Sequence, residues 1–477
     1  MCFTPSGGDG VIQHDLANYG DSFVVGRANL SYVKQFFVTD SSSRNVSRTQ
    51  YDTHGNMRQS LDTAGHTVTY NLTDYMTNKA TGVGPTNAMV REVTDPDTYR
   101  NGAQYNWYNG LPVKSFHLKA MGGAEENIVT YGYETADRLN QVINPDGGGM
   151  IRAYWDNWLA VATYTKIDAT QTRYEAVSYD GSGNMNSRAG DHPDATAGKY
   201  SYQKYAYDTV GRSSQVSNVT AVNGSYLPID DDAALGFQYT GSTFDVFDRP
   251  LVVALPDANT MNYSYTGCGC AGSATTTITD QRGKKRKQTY DPYGRLAEAC
   301  ELDAGSAVYS KAVYNYDTRD LLQDIKHYNG GTAYQQRSFV YDGYARVLNQ
   351  TTPEEGLVSY TYDADDLVSA VTNQKAVGNT TTFAYNNRHQ VTGVSYNDAN
   401  ATPTVSHAYD EYGGRTSMTA NGVSTTAYGY NSYHQLTSEN VTFNGLAGNY
   451  QLDYSYNYVG APTSVRYTTG AWVRGEL

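Results

Sequence analysis

At 477 residues the chain is long enough for several domains or one extended β-architecture, and its 45 tyrosines, with only 17% charged residues, exclude a disordered chain. The net charge of −13 weighs against nucleic acid or an anionic membrane as the main partner, because both call for a basic face. No window approaches the run of about 18 apolar residues that a membrane-spanning helix needs, so no membrane span is expected.

Residues 1–50 read as a lead-in that holds at most one degenerate copy of a repeated unit. The start, MCFTPSGGDGVIQHD, has neither the charged head nor the apolar stretch of a Sec signal peptide, and Cys2 lacks the apolar stretch of a lipoprotein signal. Three readings stay open: the protein remains inside at first, it leaves by a route that reads no such peptide, or the chain is a piece of a longer one.

From 51 to 466 one pattern recurs. With Tyr, once Phe, as anchor there are sixteen copies: Tyr51, Tyr70, Tyr105, Tyr133, Tyr154, Tyr179, Tyr207, Phe244, Tyr290, Tyr316, Tyr341, Tyr362, Tyr385, Tyr409, Tyr430 and Tyr456. From Tyr316 onward the intervals are 25, 21, 23, 24, 21 and 26 residues, a period that marks a repeat architecture rather than unrelated domains. Asp follows the anchor at Asp52, Asp180, Asp208, Asp291, Asp317, Asp342, Asp363 and Asp410. Four residues after the anchor stand Gly55, Gly183, Gly211, Gly294, Gly413 and Gly460, or Asp74, Asp137, Asp248, Asp320 and Asp366, or Asn109, His389 and His434. These residue types best tolerate φ > 0, so the column predicts a tight turn whose backbone the preceding Asp or Asn can bond. Ala345 and Trp158 break the column.

Aromatics also recur two residues before the anchor, as in Tyr205/Tyr207, Tyr314/Tyr316 and Tyr360/Tyr362, which places both rings on one face of a strand. Each unit therefore reads as a β-hairpin: aromatic strand, tight turn, returning strand, connecting turn. Sixteen units imply roughly thirty strands. A lone hairpin cannot bury its apolar face, so neighbours must join into one sheet. Twist accumulates over so many strands, and a flat sheet would leave long edges. The expected fold is all-β: repeated hairpins forming a long, curled or spiralling antiparallel sheet.

Several segments invite a chemical reading. Asp230, Asp231 and Asp232 lie in the longer insert before Phe244, without the spaced oxygen ligands of a calcium loop. In GCGCAGSATTT, after a Tyr265 that predicts a degenerate seventeenth turn, Cys268 and Cys270 with Cys300 are candidate metal ligands. Their Cys-x-Cys spacing and lack of a nearby His favour a disulfide to Cys300 or free thiols in a Gly-rich turn. Lys284, Lys285, Arg286 and Lys287 read as a solvated strand face rather than an anion patch. His389 and His434 occupy the turn column and are expected as left-handed turn residues rather than ligands. Trp107, Trp155, Trp158 and Trp472 are candidates for stacking on sugars. No HExxH, phosphate-binding loop, GxSxG elbow or dinucleotide fingerprint occurs, so no cofactor and no enzyme activity is expected. Residues 467–477 read as a truncated end.

The motif resembles the YD repeats of the Rhs family, which also build the shells of bacterial Tc toxin components and teneurins. Tyr290-Asp291-Pro292-Tyr293-Gly294-Arg295-Leu296 meets the YDxxGRL pattern most closely, Tyr207 to Arg212 and Tyr51 to Asn56 come next, and the resemblance spans about residues 51–460. It implies a hollow shell whose sheet spirals around a polypeptide cargo, often a C-terminal toxin released by an aspartyl autoprotease. No DPxG-type core segment followed by a conserved closing region stands near the C-terminus, so that autoprotease is not carried over and no catalytic residue is named. The expectation is a stretch of shell wall, secreted or at the cell surface, whose partners are cargo or missing shell segments. The alternative is an extracellular adhesin that binds surface glycans through exposed aromatics.

Overall fold

The computed structural model describes residues 32–36, 43–52, 55–74, 76–81, 84–118, 123–193, 198–223, 235–267, 274–303, 305–329, 332–373, 379–398, 401–469 and 472–474. Their strands join into one 38-stranded sheet in which nearly every strand pairs with its neighbours in sequence. Pairing is antiparallel except for one short parallel rung, Met76↔Tyr105 and Thr77↔Asn106. Among the described residues the helical content is a single 3₁₀ turn, Asp156–Trp158. The sheet already contains Tyr32–Phe36, paired with Ser43–Tyr51, and it ends with Pro462–Thr469 paired with Trp472–Arg474.

The unit that opens at Tyr290 shows how the sequence makes the hairpin. Strand Lys285–Tyr290 enters the turn and Leu296–Leu302 returns. The Asp291 N–H donates to the Arg295 carbonyl at 2.8 Å, and the Gly294 N–H donates to the Asp291 carbonyl at 3.0 Å. Tyr290 pairs with Leu296, yet Thr289 pairs with Glu298, so Ala297 is an extra residue and the strand carries a β-bulge.

The same register shift stands beside Tyr51, Tyr179, Tyr207, Phe244, Tyr316 and Tyr341. It recurs beside Tyr362, Tyr385, Tyr409, Tyr430 and Tyr456. Most connecting turns at the far ends of the strands, such as 280–284 and 352–356, carry no such shift, and the shifts at Glu301/Leu302 and His327/Tyr328 are exceptions. A bulge bends its strand and adds right-handed twist. Because most bulges gather on one rim, successive hairpins turn the sheet in one sense, and it coils.

The coil passes a full lap. Gln35 Nε2 donates to the Tyr344 carbonyl, the Ala64 amide donates to Asp365, and Tyr412 donates to Glu126, across sequence separations of 309, 301 and 286. Between these, Arg388 pairs with Asp95 at 3.0 Å, and further on the Tyr458 amide donates to the Ile167 carbonyl at 2.7 Å. The contacts keep their order along the chain. In each, the later residue lies in the turn after an anchor tyrosine, Tyr-Asp or Tyr-Asn, and its partner lies in the earlier lap, mostly in or beside a connecting turn. The turn rim of the second lap thus rests on the connecting rim of the first. This is a spiral rather than a barrel, because side chains and turns close the seam instead of a strand ladder.

Roughly two dozen strands make one lap, and at about 4.8 Å per strand the backbones stand about 35 Å apart across it. The wall is one layer thick. A sandwich buries alternate residues of each strand between two sheets. Here strands such as Thr275–Thr279 and Val368–Asn373 are half-buried at every position. Fully buried apolar side chains are few among the described residues, and Phe116 and Leu118 lie near the covering second lap. Cohesion therefore comes from pairing along the sheet and from neighbouring units rather than from a central core.

A solid globule of 477 residues has a radius of gyration of about 23 Å. Small-angle X-ray scattering is expected to give a clearly larger value with a pair-distance distribution weighted to long vectors. A bell-shaped distribution at the compact value would refute the coil.

Candidate functional site

The chemistry of the repeat is concentrated in the turn. Asp342 Oδ1 accepts the amides of Tyr344 and Arg346 at 2.8 and 2.9 Å, while Oδ2 accepts Arg346 Nε at 2.7 Å. The rest of the guanidinium serves the next unit. Its Nη1 donates to Asp366 Oδ1 at 2.7 Å, and its carbon lies 4.6 Å from the centre of the Tyr362 ring. Tyr362 answers with its hydroxyl, which donates to the Val347 carbonyl at 2.7 Å. The backbone ladder between those strands stops at Asn349↔Ser359, so the tyrosine supplies the rung that the backbone does not.

The same arrangement links Asp291 and Arg295 to Asp320 and Tyr316, whose hydroxyl takes the Leu296 carbonyl at 2.9 Å. Asp208 and Arg212 likewise reach Asp248 and stack on Phe244. Every letter of Y-D-x-x-G-R thus has a mechanical task within one unit or between two.

The left-handed column is present at Gly55, Asp137, Gly183, Gly211, Asp248, Gly294, Asp320, Asp366, His389, Gly413, His434 and Gly460. Ala345 also adopts it, at φ 68°, although its type argues against it. Three positions depart from expectation. After Tyr105 the turn is one residue longer and Gly110 takes the positive φ in place of Asn109. After Tyr154 the 3₁₀ turn moves it from Trp158 to Leu159, at φ 47°. Tyr70 opens no tight turn: buried Asp74 instead accepts the Thr86 and Ala88 amides and the Thr86 hydroxyl, pinning a long loop.

The ionisable groups are tuned to these roles. At Asp208 the Arg212 amide is the largest cause holding the carboxyl below its usual value. At Asp291 and Asp317 burial pushes upward, but Arg295 in the first and the Leu321 and Arg319 amides in the second outweigh it, so both end lowered. Burial raises the hydroxyls of Tyr316, Tyr341, Tyr362 and Tyr385, which keeps them donors.

A second functional column is the third residue after the anchor, which reads as free in the sequence. In the second lap it makes the seam: Asp365 accepts the Ala64 amide, Arg388 pairs with Asp95, and the Tyr412 ring lies 4.2 Å from that of His117. In the first lap the same column is exposed, with Tyr108 at 80%, Val210 at 69%, Phe247 at 73% and Tyr293 at 78%. A cavity of about 840 Å³ opens along the seam, between strands of the first lap around Phe116 and His117 and the turns that carry Tyr412, His434 and Tyr458.

At the seam's other stretch Asp62, His66, Asp365 and His389 meet. Asp62 and His66 belong to a connecting turn that closes as the Tyr-Asp turns do, with Gly65 at φ 97°. Sequence reading misses this group, since His389 explains itself as a turn residue and Asp62 has no tyrosine anchor. The D-x-x-G spelling of 62–65 is the available signal for a turn, but not for its partner.

The remaining candidates separate. Cys268, Cys270, the turn expected after Tyr265 and Asp230 to Asp232 lie outside the described residues. Cys300 is a buried free thiol, 1% exposed, that donates to Glu298 Oε1 at 3.2 Å. Burial, then Glu298, pushes it up to about 11, far from a thiolate ligand. In the basic run, Arg286 pairs with Glu301, Lys285 donates to Ser306, and Lys284 is exposed, as a solvated face requires. Trp155 is 41% exposed and Trp107 half-buried, while the side chains of Trp158 and Trp472 lie outside the described residues.

No protein-family model and no curated protein matches the chain. Solved structures do. Over 93% of its length the chain matches 23% of a chain in the Photorhabdus luminescens Tc holotoxin pore, with a TM-score of 0.50 at 14% identity. It also covers 36% of a TcdB2-TccC3 chain over 95% of its own length, with a TM-score of 0.37 at 12% identity. The chain thus has the curled, all-β repeat fold of that part of the Tc holotoxin, and it spans about 23% of the holotoxin chain's length.

Two outcomes test the turn. Ala345→Gly removes a left-handed alanine and is expected to stabilise the protein by about 0.5 kcal/mol, whereas Arg346→Ala costs about 1–2 kcal/mol. Arg346→Lys keeps the charge but not the fork, so a urea midpoint equal to the parent's would show that the fork is not the link. The pH profile is set by the shifts. Depressed carboxyls contribute stability fully above 3.8, lost as pH falls through their lower folded values; raised tyrosines contribute fully below 10.0, lost as pH rises through their higher ones. Urea midpoints are expected to plateau between those limits and fall on both sides.

Proposed function

We propose that the chain is a section of the wall of a shell that encloses a polypeptide cargo, exported as part of a toxin-like assembly. The observation that carries this is the docking column, used in the second lap and exposed in the first. An exposed row of Tyr, Phe and Val along one rim is what a further lap, or another shell segment, would cover. The fold shared with part of the Tc holotoxin supports the same reading.

The role is containment, and the chain's own residues act as structure rather than as catalysts. Inward side chains take about 5 Å from each wall, which leaves a lumen of about 25 Å. That admits an extended segment or a helix of about 10–12 Å diameter, but not a folded domain of about 100 residues. The cargo alongside this section would therefore be unfolded or locally helical.

Cryo-electron microscopy of the protein purified from its own host, with protease challenge of whatever polypeptide accompanies it, tests the reading. The expected result is a walled lumen and a companion that resists protease until the wall is opened in acid. A solid interior, or a companion digested at the same rate before and after opening, would overturn it.

A further inference from the structure

The four-residue group at the seam has the donor set and spacing of a metal site. Two imidazoles and two carboxylates suit zinc and its neighbours among the divalent transition metals. The His66 Nδ1 lies 2.8 Å from Asp62 Oδ2 and 3.2 Å from Asp365 Oδ2. His389 Nε2 lies 3.2 and 3.5 Å from the same two oxygens. A tetrahedral ion with bonds of about 2.0–2.1 Å sets its ligands about 3.3 Å apart, so the atoms already stand near the corners required.

The orientation of each carboxylate is fixed by backbone. Asp62 Oδ1 accepts the Gly65 and His66 amides, both at 2.8 Å, and Asp365 Oδ1 accepts the Ala64 amide at 2.7 Å. That leaves both Oδ2 atoms turned to the histidines. Asp365 is 7% exposed and His389 40%, so the group is anchored on one side and open to ions on the other. Asp62 and His66 come from the first lap, Asp365 and His389 from two successive turns of the second.

We propose that Asp62, His66, Asp365 and His389 bind one divalent transition-metal ion, zinc foremost, which staples the second lap of the spiral to the first. Turn-to-turn docking leaves the seam without a strand ladder, and an ion held by both laps would give it a strong local tie. Such an ion would tie the laps whether or not the lumen holds a cargo.

Calorimetric titration of the chelator-stripped full chain with Zn²⁺ is the test, run also in a Cys268→Ser/Cys270→Ser background to remove competing thiols. One equivalent is expected in both, with a raised thermal unfolding midpoint. Co²⁺ should give tetrahedral ligand-field absorption without thiolate charge transfer. His389→Asn tolerates the left-handed backbone, and Asp365→Asn keeps an acceptor for the Ala64 amide. Each is expected to lose the equivalent and the midpoint shift while unfolding cooperatively, whereas His434→Asn retains both. No binding by the parent, binding lost with the cysteines, or binding kept in both His389→Asn and Asp365→Asn would overturn the assignment. Normal structure without zinc in the variants would leave a failure of the shell reading distinguishable from a failure of this one.

Discussion

One aspartate carboxylate joins local and long-range order in this protein. In the unit at 342, Oδ1 closes its own turn through two amides while Oδ2 holds an arginine whose Nη1 reaches the next turn. A glutamate would place its carboxylate a methylene too far to accept those amides, and an asparagine could not hold the arginine fork by charge. Where the arginine is missing, other groups make the link. Arg319 stands two positions early and donates to the Asp342 carbonyl at 2.7 Å, and Gln390 donates to the Gly413 carbonyl at 3.1 Å. Asn109 reaches Asp137 at 2.7 Å. The spelling varies because the constraint is a reach between adjacent turns, and several side chains have that reach.

The tyrosine anchor arises from the same constraint. Where a bulge stands beside the turn it shifts the strands in register, and the next ladder starts two residues late, at Glu298↔Val313 after Leu296 or Ala370↔Thr382 after Val368. The Leu296 and Val368 carbonyls would then lack a rung. Tyr316 and Tyr385 hydroxyls fill them, at 2.9 and 2.7 Å. Phenylalanine at 244 lacks that bond yet keeps the stack on Arg212, so the ring packs even where the hydroxyl is absent.

Much of this is legible in sequence because it is local. Gly, Asp, Asn and His in one column announce a positive φ, and a repeated hairpin announces a long sheet. Asp74 misleads because the letters Tyr and Asp at the right spacing do not close a turn by themselves; its carboxylate closes a loop onto Thr86 and Ala88 instead. The seam is not legible, because the bend per hairpin is small and only its sum over a lap brings Asp62 to His389. The docking column looks free for the same reason: Tyr293 and Tyr412 hold equivalent places, but only the second has a lap beneath it.

Placing the bulges on one rim also makes the two rims of the wall chemically different. Turn residues project from one and connecting turns from the other, so lap meets lap head to tail. A head-to-tail contact of this kind does not close on itself, and each new lap exposes the surface that the next would cover. The pitch is then set by curvature, and the register by contacts such as Arg388 on Asp95 and Tyr412 on His117, which can form only when about twelve hairpins complete a lap. Losing several bulges would widen the lap and move later contacts out of register. The recurrence of the bulge beside most anchor residues thus serves the seam as much as the hairpin.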